Sequence, residues 1–160
     1  MDKNSEKTMD PAERRERAMQ NFYSGFNCCQ SVVLAFEDLF PFDRETLLHL
    51  SSSFGAGMGR LREVCGAVSG MFMIAGVLYG TDDTSTLEEK GGHYRRIQEL
   101  AGEFLKAHKS LYCRELLNLP PGPSDPMPAP RTPEYYKTRP CAKFIGDAAY
   151  IIADYVKKNS

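Results

Sequence analysis

The stretch from Val64 to Tyr79 constrains this chain most: it is apolar nearly all round, broken only by Ser69 and by glycines at 66, 70 and 76, and it stops at Gly80. A helix without a polar face must be covered on every side. It falls short of the roughly 18 or more apolar residues that a membrane helix needs, so its cover must come from other helices. The pattern predicts the central helix of a bundle over about 62–79. Gly66, Ala67, Gly70 and Gly76 leave room for neighbours to approach closely.

The neighbours are legible too. A helix starts at Asp10-Pro11, a capping residue followed by Pro at the first helical position, and runs through Ala18 and Phe22 to Ser24-Gly25. Asn27 and Gln30 form a capping-box pattern before Val32, Val33, Phe36, Leu39 and Phe40, and Pro41 ends that run. A short helix follows from Asp43. The segment from Phe54 to Gly59 reads as loop. Ser85 with Glu88 opens a long helix with the stripe Tyr94, Ile97, Leu100, Phe104, where Gly91-Gly92 is a site for a kink. A helical turn is expected at Cys113 to Leu119, and a last helix begins at Pro140 with Phe144, Ile145, Ala148, Ile151 and Ile152 inward. Seven of the ten prolines lie between Pro120 and Pro133, which favours extended chain and predicts a Pro-rich loop over 120–140, a spacer or lid. No segment alternates as a strand does. The expected fold is all-α, five or six helices around the central one, with a solvated tail at 1–9 and a single domain over 10–160.

Charge narrows the function. With 20 Lys and Arg against 21 Asp and Glu, the chain carries a net charge of −1, without the basic excess that nucleic-acid binding uses. The N-terminal residues have no apolar export segment, and the five cysteines are an odd number for a paired secreted framework. A cytoplasmic protein is expected, with reduced thiols that serve metal or redox chemistry more often than structural disulfides.

Four of the five thiols occupy equivalent positions: Cys28, Cys65, Cys113 and Cys141 each stand at a helix start. Unpaired N–H groups and the helix dipole favour anions there, lowering thiol pKa toward the nucleophilic, metal-binding thiolate. Cys141 heads an inward stripe, and Cys113 precedes Leu116 and Leu117 at the same offsets, so both point inward. The gaps of 37, 48 and 28 positions contain no C-x-x-C pair, so spacing alone does not bring the four together. Taken singly, each also reads as a small buried hydrophobe. Cys29 is assigned to the core, with a resolving thiol as its alternative.

Gly25-Phe-Asn-Cys28-Cys-Gln30 resembles G-x-N-C-A-Q, and Cys65-Gly-Ala-Val-Ser-Gly70 resembles C-G-A-x-x-G. With Cys113-Arg-Glu-Leu116 and Cys141 the order of motifs is similar to that of the redox-active C_GCAxxG_C_C family, over about residues 18–156. Cys29 stands where that family usually has Ala, and Arg62 where Gly is more common. The resemblance implies an oxidoreductase or electron-transfer accessory protein whose four cysteines, Cys28, Cys65, Cys113 and Cys141, hold an iron-sulfur cluster, [2Fe-2S] or [4Fe-4S]. Four thiolates suit such clusters and also zinc. A metal-free thiol-disulfide protein and a helical interaction module with a structural four-cysteine zinc site are the alternatives. The expected partner is a redox protein, not nucleic acid or membrane, and homo-oligomerisation is left open.

The remaining motifs are weaker. Gly55, Gly57 and Gly59 fail the G-x-G-x-x-G pattern at Arg60 and follow no strand; close approach of their backbone N–H groups to a cluster or anion beside Cys65 is the better reading. Arg60 and Arg62 would then tune local charge, or be solvated. His49, His93 and His108 share no metal-ligand spacing, and Met58, Met71 and Met73 are expected to fill core gaps.

Overall fold

In a computed structural model, residues 9–82 and 84–160 are described. Helices α1 (Pro11–Tyr23), α2 (Cys28–Leu34), α3 (Arg44–Ser52), α4 (Gly66–Tyr79), α5 (Leu87–His108), α6 (Cys113–Leu116), α7 (Pro133–Thr138) and α8 (Cys141–Lys158) follow in order, with a 3-10 turn at Glu37–Leu39 and a tight turn at Gly55–Met58. No strand occurs among the described residues. The fold is all-α.

The central position of α4 follows from its composition. It packs against α2, α5 and α8, and residues 66–71, Ile74 and Ala75 are buried. A Cβ at Gly70 would lie 3.0 Å from the Val32 Cβ and 3.1 Å from the Cys29 carbonyl oxygen, so the side of α2 rests directly on the α4 backbone. Phe144, Ile145, Ala148 and Ile152 of α8 are buried as their stripe predicts, whereas Ile151 is only half-buried. The main partner of α8 is α1, across Ala18 and Phe22. Each large side chain covered in this way contributes about 1.5–3 kcal/mol.

Local interactions shift several boundaries. The α-helix expected to continue toward Phe40 ends at Leu34. Arg14, one of a charged N-terminal series in the sequence, is 1% exposed. Its Nη1 donates to the Ala35 carbonyl at 2.7 Å, and its guanidinium forks onto Asp38 at 2.6 and 2.9 Å. That carbonyl is diverted from the helix, and the chain continues as the 3-10 turn. The central helix starts at Gly66 because residues 62–65 pair with 111–114 instead. The cap of α5 is Thr86 with Glu89, one residue beyond the expected pair, since the Ser85 hydroxyl accepts the Asp82 N–H. Gly91-Gly92 does not interrupt α5.

Helix α7 lies inside the segment expected to be wholly loop. Thr132 caps it by accepting the Tyr135 N–H at 3.2 Å, and Pro133 occupies its first turn, a start signal hidden among the prolines. Of the tail expected at 1–9, residues 1–8 lie outside the described residues, and Met9 is buried in the core. Among the described residues no helix is long and apolar enough to cross a membrane.

Candidate functional site

Each of the four cysteines is set by a different local device. Cys28 opens α2, where the Asn27 side chain accepts the Gln30 N–H at 2.9 Å and Gln30 Oε1 accepts the Asn27 N–H at 3.1 Å. Asn27 Nδ2 also donates to the Ser52 carbonyl at the end of α3. Cys65 caps α4 and Cys113 opens α6, and a short antiparallel pairing sets their segments side by side. The Cys65 N–H donates to Leu111 O at 2.8 Å, Cys113 N–H to Glu63 O at 2.7 Å, and Arg114 N–H to Arg62 O at 3.2 Å. Cys141 is the first residue of α8.

All four line one small cavity, completed by Gly57, Gly66, Leu116, Leu117, Phe144 and Ile145. No carboxylate, imidazole or amine shares that lining. Two glycines let the thiol-bearing segments close around it. A Cβ on Gly57 would stand 2.6 Å from the Cys113 Cβ, and one on Gly66 would stand 2.7 Å from Phe54 O and 3.0 Å from the Cys28 Cβ. Among the described residues, no three His, Cys, Asp or Glu side chains are grouped so as to hold a metal ion.

The expected loop at 54–59 is a left-handed turn. Ala56, Met58, Arg60 and Arg62 have φ of 56°, 67°, 67° and 62°, a conformation that costs a non-glycine residue roughly 1–2 kcal/mol. Strain of this kind concentrates at functional sites. It aims the Ala56 N–H at the Cys28 sulfur and lets the Glu63 N–H reach Gly57 O at 3.0 Å.

The thiols differ in acidity. Cys28 is lowered to about 7, first because the Cys141 thiol donates a hydrogen bond to it, with further help from the Ala56 N–H and from Arg131 against the cost of burial. Cys141 is pushed up, mainly by giving that hydrogen bond and then by burial. Between the two, the surroundings favour the thiolate on Cys28 and the neutral thiol on Cys141. Burial pushes up Cys65 and Cys113, and for Cys113 the guanidinium of Arg62 opposes the rise. Arg62 is 3% exposed and donates from Nη1 to the Cys113 sulfur at 3.5 Å. Of the two sequence readings of Arg62, local charge tuning fits this placement and solvation does not. Cys29 stands apart in the core, its sulfur 3.6 Å from Met73 Sδ and its pKa raised by burial.

A wider cleft of about 260 Å3 adjoins the cavity and shares Cys28, Cys113 and Cys141 with it. The Pro-rich segment forms one wall, held by Ser124 N–H donating to Arg60 O and by Arg62 Nε donating to Ser124 Oγ, both at 2.9 Å. Arg131 and Arg139 flank α7 on the same cleft. Sequence reasoning had assigned neither a role. The available signal was Arg131-Thr-Pro-Glu-Tyr-Tyr-Lys-Thr-Arg139, basic and aromatic residues interleaved beside the prolines. His108, by contrast, lies against Asp147 at 2.8 Å between the rings of Phe104 and Phe144.

No curated protein and no solved structure matches the chain. A family model does, over residues 26–155, a span that contains all four cavity cysteines. By that match the chain belongs to the family described as "Putative redox-active protein (C_GCAxxG_C_C)".

Proposed function

We propose that the protein carries electrons through an iron-sulfur cluster held by Cys28, Cys65, Cys113 and Cys141. The observation that carries this reading is the lining of the small cavity: four thiols from four separate helix starts, and no other side chain able to ligate. A cluster spreads its cysteine ligands over several irons. The sulfurs of a single zinc site crowd to about 3.8 Å of one another, given zinc-sulfur bonds near 2.3 Å. A lining of four sulfur ligands without nitrogen or oxygen ligands suits iron-sulfur chemistry, and zinc is the competing occupant that metal analysis distinguishes. Gly57 and Gly66 let the segments that carry Cys113 and Cys28 pack close beside the cavity.

When bound, such a cluster supplies one-electron transfer. The chain's own residues shape the environment for it. Arg62 holds positive charge against the Cys113 sulfur in a site from which water is largely excluded, where a charge acts more strongly than in water. The Ala56 N–H adds a fixed donor at Cys28. Both favour sulfur in its anionic form, and both would raise the potential at which an electron is accepted. Protein purified without oxygen should contain iron and acid-labile sulfide in equal amounts and show a visible absorption that bleaches with dithionite. Colourless protein lacking both would refute the reading.

A second reading is favoured by the placement of Cys28 and Cys141 on one cavity, where the Cys141 thiol favours the Cys28 thiolate. A thiolate of pKa about 7 touching a neutral thiol is the arrangement of a dithiol couple. Transfer of two electrons to an external two-electron oxidant, with release of the one remaining proton from Cys141, would join the two sulfurs. In metal-free protein, a mass decrease of two hydrogens on oxidation, mapped to Cys28 and Cys141, supports it; no such change refutes it.

A further inference from the structure

The wider cleft beside the thiols is lined by Arg60, Arg62, Arg131 and Arg139 and by no aspartate or glutamate. Among the described residues, none of these four takes part in an ion pair. Composition does not explain this, since acidic and basic residues nearly balance over the chain. Arg62 faces the Cys113 sulfur and Arg131 the Cys28 thiolate, so one thiolate is set against four buried or half-buried guanidiniums, which lose hydration without a matching negative charge. Beyond the Cys28 thiolate, no acidic side chain lines the cleft, and the remaining positive charge calls for an anion from outside the protein.

The guanidiniums are also held in place. Arg131 stacks on Phe22 at 4.6 Å and on Tyr135 at 5.0 Å while donating to the Phe22 and Phe26 carbonyls at 3.3 and 3.2 Å. Arg60 is tied by Nε to the Asp125 carbonyl. Arg139 stacks on the same Tyr135 at 5.3 Å, and among the described residues its side chain makes no hydrogen bond. Fixed planar forks of this kind recognise carboxylate and phosphate oxygens. At about 260 Å3 the cleft exceeds what one inorganic oxyanion needs, and Leu117, Pro126, Pro128 and Tyr135 give it apolar surface.

We infer that this cleft binds a small organic anion, its carboxylate or phosphate oxygens taken by Arg60, Arg131 and Arg139 and its carbon skeleton lying against the prolines and Tyr135, next to Cys28 and Cys141. The inference goes beyond electron carriage by giving the sulfur centre a small-molecule ligand. It holds with or without a bound metal, because the anion's contacts are guanidiniums.

The test is calorimetric titration of the full chain, as purified without oxygen, with phenyl phosphate and with benzoate at constant ionic strength. At least one should bind saturably and more tightly than inorganic phosphate, while benzyl alcohol should not bind. Arg139→Gln should weaken that binding about tenfold or more with an unchanged melting temperature. Arg60→Gln provides an independent second variant, and the exposed Arg95→Gln on α5 should leave affinity as it was. Absence of saturable binding by both aryl anions would overturn the inference, as would equal affinity for inorganic phosphate or unaltered binding by both cleft variants. If Arg139→Gln changes only the reduction potential and not the affinity, the guanidiniums serve the sulfur centre alone and the inference fails. Iron and sulfide content is read separately, so neither result substitutes for the other.

Discussion

The body of the bundle and its cysteine pole are built by opposite rules. Where α1, α4 and α8 pack, ordinary right-handed helices bury Ala18, Phe22, Ile74, Ala148 and Ile152 in an apolar core. At the pole, four non-glycine residues between 56 and 62 sit in left-handed backbone, a guanidinium is buried without a carboxylate, and two glycines are pressed against cysteine-bearing segments. The body's arrangement lowers the free energy of folding. The pole's arrangement spends part of that stability to bring four thiols around one cavity. Adjacent residues show the boundary: Cys29 faces Met73 in the core, and Cys28 faces the cavity.

The comparison can be broken by substitution, and the largest effect belongs in the body. Ile152 is fully buried away from the thiols, and Ile152→Ala should cost about 2–5 kcal/mol in urea unfolding. If the proposed cluster is bound, the folded fraction should keep its iron and sulfide in full; their parallel loss would show that the two regions are not separable.

Glycine substitutions distinguish the regions next. Gly66→Ala forces a Cβ onto Phe54 O and the Cys28 Cβ, so about 1–3 kcal/mol of stability should be lost through overpacking. Gly76, ten residues along the same helix, has open space around it. Gly76→Ala should therefore stabilise by about 0.5–1 kcal/mol. Equal effects at the two sites would remove the claim that Gly66 is required by close approach of the Cys28 and Phe54 segments.

The smallest effect is in acidity. In reduced, metal-free protein, alkylation of Cys28 by iodoacetamide should rise with a midpoint near pH 7, while native Cys29 stays unreactive. The lowered Cys28 value means that the unfolded chain holds more protons between about pH 7 and 9, so this thiol's stabilising contribution grows over that interval and is lost as pH falls through 7. Cys29, Cys65 and Cys141, all raised by their surroundings, act in the other direction above the ordinary thiol range. Stability of the metal-free protein should therefore peak near pH 8–9, as urea midpoints across pH would show. Stability rising steadily through pH 10 would contradict these assignments.

Much of the body was legible because its signals are local or periodic. The apolar run to Tyr79, the Asn27–Gln30 capping box and the stripe on α8 each lie within one element. The helix-start positions of all four cavity cysteines were legible for the same reason. Their meeting was not, because it depends on backbone pairing between residues 63–65 and 111–114, far apart in sequence and too short to show strand alternation. The left-handed turn was hidden as well, since Ala56 and Met58 announce no positive φ. The burial of Arg14 was not legible, because its partners, Ala35 O and Asp38, lie more than twenty residues away. Helix α7 had a readable start at Thr132-Pro133, outweighed by the prolines before it.

The central claim is that four of the five thiols act as one ligand set. It is tested most directly by iron and sulfide content, measured without oxygen, across five single variants. The account predicts that Cys28→Ser, Cys65→Ser, Cys113→Ser and Cys141→Ser each lose most of both while remaining helical by circular dichroism, and that Cys29→Ser keeps both. If Cys29→Ser loses the metal as readily as the others, or if any of the four retains a full complement, the division into four and one is wrong.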